Sequence, residues 1–131
     1  MAVVATDLST VPAFGALSPG ELESLASTGE RVEVDGPGVE ITLQGDFGRS
    51  VFAVLEGDAR VLVDGQEVGR LSAGDLFGEI AVIASGRRTA TVESLGPMVL
   101  ASFFKRDIWA LEKSNAAFAD ALRALRATDE S

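Results

Sequence analysis

From Arg31 to Phe104 the chain is written in short apolar runs punctuated by turn residues, and this is the feature that narrows its fold most. Val32 and Val34 alternate with charged residues, and Val39, Ile41 and Leu43 repeat the alternation after Gly36–Pro37–Gly38, the period of a half-buried strand. Val51–Leu55 is apolar throughout and reads as a strand buried on both faces. Val61–Val63 and Val68 flank Asp64–Gly65, a dipeptide suited to the positive-φ positions of a type I′ hairpin. Leu76–Phe77 closes a strand or turn, and Ala90–Ser94 and Met98–Phe103 lie on either side of Gly96–Pro97. Short strands with turn signals between them predict an all-β sandwich or barrel.

Helical spacing flanks this region on both sides. At Leu17–Thr28 the sequence LSPGELESLAST offers Ser18 as N-cap, Pro19 at the first helical position and Glu21 three residues after the cap, with Gly29 just past the end. Beyond Phe104, Asp107–Lys113 fits a short helix carrying Ile108 and Leu111. Asn115 then caps a second helix running towards Ala127. Its Phe118, Leu122 and Leu125 share one stripe, which packs on the β-structure, although Leu125 is also placed to lie over a ligand mouth.

Composition removes several classes of function. With 131 residues there is room for one core and one binding module. The chain has no Cys, so disulfides and thiolate chemistry are excluded and a reducing cytosol suits it. It has no His either, which leaves neither imidazole for a zinc or non-haem iron site nor a side chain that ordinarily titrates near neutrality, and Tyr is also absent. The N-terminal MAVVATDLST is not a signal peptide, and no stretch approaches the ~20 apolar residues of a membrane span. A formal charge of −9 opposes nucleic acid and anionic membranes as partners. Residues 1–104 hold the whole excess, with six basic against fifteen acidic residues, and within them Arg87 and Arg88 are the only adjacent cations.

Those arginines belong to the segment DLFGEIAVIASGRRTATV, Asp75–Val92. Gly78–Ala81 looks like a single helical turn between strands. A helix start offers unpaired N–H groups to a phosphate, and Gly78 lets a ligand approach the backbone. Glu79 suits a sugar hydroxyl, because an ionised carboxylate only accepts. Arg88 supplies a planar fork that matches two phosphate oxygens, and Thr89 adds a hydroxyl. A ligand with phosphate and ribose close together, such as a cyclic nucleotide, meets these demands. The residues equally suit a structural Glu79–Arg88 ion pair, with Gly86 serving only the turn.

FGEIAVIASGRRTATV also resembles the phosphate-binding cassette of the cyclic nucleotide-binding domain family, whose pattern is FGE, two apolar or small residues, a short loop, then R-[ST/A]-A-x-V. Upstream, FGALSPGELESLA is similar to the family's leading helix. VFAVLEGDARVLVDGQEVGRLSAGDLFGE is similar to its central strands, including the glycine after the buried strand, here Gly57. The likeness covers about residues 11–127. It implies a mainly β fold, an antiparallel β-barrel or jelly roll of the double-stranded β-helix type, with an N-terminal helix and C-terminal helices. The domain is expected over residues 11–128, behind a tail of residues 1–10.

The resemblance also assigns roles. Glu79 would bind the ribose 2′-hydroxyl, Arg88 the phosphate, Gly78 and Ile80 would contribute backbone groups, and Thr89 would line phosphate and base. Phe77, Ala81 and Ala90 complete the nucleotide-binding set within the cassette. Arg87 stands where many members have proline and is expected to face solvent. GRRTA is similar to the cassette of cyclic-nucleotide-gated channels, in which this threonine is associated with guanine binding, yet serine or threonine also occurs there in adenine-preferring members. A bacterial-looking composition and a standalone domain favour cAMP, with cGMP second. Leu125, Arg126 and Asp129 are candidates for the residue that covers the base.

The expected protein is a cytoplasmic cyclic nucleotide sensor. Nucleotide held at Gly78–Thr89 would favour one position of the helices Lys105–Thr128 over another. It would perform no catalysis, require no metal or cofactor beyond its ligand, bind no nucleic acid and not insert into membranes, and its downstream protein partner is left open. A metal-dependent enzyme of the same β-helix type is opposed by the missing histidines. A catabolite-activator type of transcription factor is opposed by a sequence that stops before a helix-turn-helix. The remaining alternative is an interaction module of the same fold that has lost nucleotide binding.

Overall fold

The structure, a computed structural model, describes residues 3–45, 48, 50–78, 88 and 90–129, with 125–129 given by backbone alone. The strands are β1 (Glu30–Val34), β2 (Glu40–Thr42), β3 (Ser50–Glu56), β4 (Ala59–Val63), β5 (Gln66–Leu71), β6 (Leu76–Phe77), β7 (Thr91–Ser94) and β8 (Met98–Phe104). They form two four-stranded sheets, ordered β1-β8-β3-β6 and β2-β7-β4-β5, and every pairing is antiparallel. Among the described residues no strand pairing joins the sheets, so the mainly β, jelly-roll expectation holds while the barrel is corrected to two facing sheets.

Side-chain parity in the first sheet divides the interior in two. Val51 and Ala53 of β3, Leu76 of β6, and Ala101 and Phe103 of β8 point outward to a helical layer. Val54, Phe77, Met98 and Leu100 point the other way, where they meet Ala59 and Val92 of the second sheet. This is the period-two alternation of strands applied to a sheet covered on both faces. It explains why Val51–Leu55 carries no polar residue.

The Asp64–Gly65 hairpin forms as expected, with φ of 53° and 81° at the two turn residues and Val63 opposite Gln66. β2 departs from expectation. The pairing with β7 shifts register between Glu40 and Thr42, and an irregularity of that kind exchanges the faces of the residues beyond it. Beyond the shift Leu43 is therefore exposed, while Thr42 is buried and its hydroxyl donates to the Ala90 carbonyl at 3.4 Å; Val39, ahead of the shift and outside β2, is exposed as well.

The helices are α1 (Ala5–Leu8), a 3₁₀ turn (Pro12–Ala16), α2 (Pro19–Thr28), α3 (Lys105–Ser114) and α4 (Ala116–Asp129). α2 has the capping box its sequence implies, with Glu21 N donating to Ser18 Oγ at 3.2 Å and Ser18 N to Glu21 Oε1 at 2.9 Å. Asn115 caps α4 by accepting from Phe118 N at 3.0 Å. Its amide also donates to Ala16 O and Glu21 Oε1, each at 3.0 Å. The Ser18 backbone bond, followed by the Asn115 amide, holds the Glu21 carboxyl below its ordinary pKa. Phe118 and Leu122 are fully buried, as their stripe predicts, and Phe14 packs against both Phe118 and Phe103 with ring centroids 6.0 and 5.9 Å apart. α3 starts at Lys105, two residues before the expected Asp107. Residues 3–10, read from sequence as part of a tail, include α1 and place Val3 and Leu8 in the same buried cluster as Phe14 and Phe118.

Candidate functional site

At one end of the stacked sheets Arg88 spans from one sheet to the other. It leaves the second sheet's side of the molecule, with its carbonyl accepting from Gly45 N at 2.8 Å, and sends its guanidinium across to the first sheet. There Nη1 donates to Gly78 O at 2.7 Å and Nη2 to Ser50 O at 3.0 Å. The guanidinium carbon lies 5.7 Å from the centre of the Phe52 ring, which itself stacks on Phe77 at 5.0 Å and 18°. Arg88 is 9% exposed, and this burial pushes its pKa below the usual arginine range.

Two glycines make this placement possible. A Cβ at Gly48 would come within 2.8 Å of Arg88 Cδ and closer still to its Nε. A Cβ at Gly78 would collide with Nη1 and lie 2.9 Å from Ser50 O. Gly78 also has φ of +92°, a region that side chains rarely enter. The glycine that sequence reasoning assigned to close ligand approach therefore also admits the arginine. A guanidinium carries five N–H donors, and the bonds to Gly78 and Ser50 engage two of its nitrogens among the described residues. Capacity remains for an anionic acceptor.

A second cation stands close by. Phe104 pairs with Ser50, the residue whose carbonyl Arg88 holds, and the next residue is Lys105. Lys105 is 7% exposed, and its Nζ has no hydrogen-bond partner among the described residues. Burial first, and then the positive charge of Arg88, lower its pKa to about 8.

Of the residues proposed from sequence, the structure thus brings together Phe77, Gly78 and Arg88, with Ala90 starting the chain's return into β7. Glu79, Ile80, Ala81, Arg87 and Thr89 lie outside the described residues, as do the side chains of Leu125, Arg126 and Asp129 and any Glu79–Arg88 ion pair. Sequence reasoning missed Gly48, Ser50, Phe52 and Lys105. Gly48 carries no local sign of its role, since its partner is forty residues away. Lys105 did carry one, a lysine that follows a mainly apolar strand and opens a helix, where a cation opposes the helix dipole.

The model for the cyclic nucleotide-binding domain matches residues 36–115. The chain is 36% identical over 110 residues to a cyclic nucleotide-gated cation channel protein of Drosophila melanogaster, covering 78% of this chain and 16% of the channel. It is 39% identical over 93 residues to the cAMP-dependent protein kinase regulatory subunit of Mycosarcoma maydis, covering 68% of this chain and 18% of that protein. The chain therefore spans less than a fifth of either relative. Among solved structures it is similar to the catabolite activator protein of Thermus thermophilus, with a TM-score of 0.74 and 31% identity, covering 90% of this chain and 57% of that one.

Proposed function

Because the chain belongs to the cyclic nucleotide-binding domain family, we propose that it is a cytoplasmic sensor that binds cAMP, with cGMP as its second ligand, and signals through the helices after β8. The observation that carries this reading is Arg88, buried between Gly48 and Gly78 where it spans the two sheets, with donors to spare among the described residues. A cyclic phosphate placed there receives charge-assisted bonds in a site partly shielded from water. Glu79 accepts from the ribose 2′-hydroxyl, Thr89 lines phosphate and base, Ile80 and Ala81 continue the cassette, and Leu125 covers the base. The protein holds its ligand without chemical change and needs no metal.

Occupancy reaches the outside through differential affinity: the nucleotide shifts α3 and α4 only as far as it binds one of their positions better than the other. Calorimetric titration with cAMP, cGMP and AMP tests the reading. Binding of a cyclic nucleotide well above that of AMP is the expected result. No heat with either cyclic ligand at millimolar concentration identifies instead a module of this fold that has lost nucleotide binding.

A further inference from the structure

A protein with 20 acidic side chains has no shortage of counter-ions. Yet its two buried cations, Arg88 and Lys105, have no carboxylate in contact among the described residues. Buried charges are ordinarily paired, and an unpaired one is among the costlier features a fold can carry. Arg88 is at least answered by two carbonyls. Lys105 is answered by nothing among the described residues: its ammonium has no hydrogen-bond partner there and is repelled by Arg88, and it occupies the first turn of α3, where the helix dipole adds positive potential. Asp107 shares that turn. Arg106, the next cation, lies over the exposed ring of Phe104 at 5.2 Å. All three unfavourable contributions at Lys105 have the same remedy, a negative charge arriving from outside the chain.

We propose that Lys105 is the second cation of the Arg88 site, so that a phosphate brought there answers both positive charges and stabilises the start of α3. The two residues are joined through one strand position: Arg88 bonds the carbonyl of Ser50, and Ser50 pairs with Phe104, the residue that precedes Lys105. The anion therefore acts on the helix that follows β8 through charge, without first having to move the sheet. The inference rests on the proposed function and adds to it the residue through which phosphate is felt by the C-terminal helices.

The test is titration of cAMP and cGMP into the wild-type protein, Lys105→Met and Lys105→Arg at pH 7 and fixed ionic strength, with the fluorescence of Trp109 recorded in parallel. Trp109 is the single tryptophan and lies one turn along α3 from Lys105. Lys105→Met should bind about tenfold or more weakly and lose most of the fluorescence change. Lys105→Arg should recover affinity to within about threefold, since it restores the charge and not the shape. Equal affinity in wild type and Lys105→Met overturns the inference and leaves the proposed function standing. Equal weakening in both variants also overturns it, because shape rather than charge would then be what matters. A wild-type protein that binds neither nucleotide overturns both readings.

Discussion

Lys105 makes a demanding prediction about the protein without any ligand. Burial and Arg88 lower its pKa from 10.5 to about 8. The folded protein therefore sheds this proton near pH 8, whereas the unfolded chain keeps it until roughly pH 10.4. Across that interval unfolding takes up a proton, so stability rises with pH. Below pH 8 the full cost of the buried charge is present. The gap amounts to roughly 3 kcal/mol, at about 1.4 kcal/mol per pH unit. Lys105→Met keeps the chain length and removes the charge, so at pH 7 it should be more stable by about 2–3 kcal/mol. For a domain of this size that is a melting temperature higher by roughly 10 °C. The advantage should shrink steadily above pH 8 and vanish near pH 10.5.

The composition makes the experiment clean. The chain lacks His, Cys and Tyr and contains only two lysines, and the variant retains the other, Lys113, exposed at the end of α3, so the difference between the two proteins isolates Lys105. Urea unfolding followed by Trp109 fluorescence at half-unit steps from pH 7 to 10.5 provides the curve. A wild type whose stability is flat across that range, or a Lys105→Met variant no more stable at pH 7, refutes the picture of an unanswered buried charge.

The two adjacent arginines should separate: Arg88→Ala is expected to weaken cyclic nucleotide binding by about 2–4 kcal/mol and Arg87→Ala by less than about 1 kcal/mol, as measured by calorimetry. If Glu79 accepts from the ribose, wild type should prefer ribo over 2′-deoxy cyclic nucleotide by about 1–3 kcal/mol, and Glu79→Ala should bind both sugars with similar low affinity. Gly57, with φ of +91°, leaves no room for a side chain, because a Cβ would meet Pro97 O and come within 3.0 Å of Met98 Cα. Gly57→Ala should therefore lower stability by about 2–4 kcal/mol in chemical denaturation, the sum of left-handed strain and overpacking.

Much of the fold was legible because its signals are local. Ser18, Pro19 and Glu21 specify a helix start by chemistry that spans four residues, and Asp64–Gly65 specifies a hairpin with two. α1 and the 3₁₀ turn escaped because elements of four and five residues are too short to display a period, even though Leu8 and Val11 are fully buried. The face exchange in β2 comes from its pairing with β7, which no run of residues 39–43 announces. The site divides along the same line. Gly78 and Arg88 were legible from their neighbours, whereas Gly48, Ser50 and Lys105 reach Arg88 only through tertiary structure.

The first sheet separates two apolar interiors, one shared with the helices and one with the second sheet. A partition of this kind gives the molecule two cooperative units that share a wall but few side chains. The helical layer can slide or loosen at the expense of contacts made by Val51, Ala53, Ala101 and Phe103, while Val54, Met98 and Leu100 stay packed on the far face of the same strands. Amide protons of β3 and β8 would then exchange only with global unfolding, and those of α3 and α4 through a cheaper opening that leaves the sheets intact.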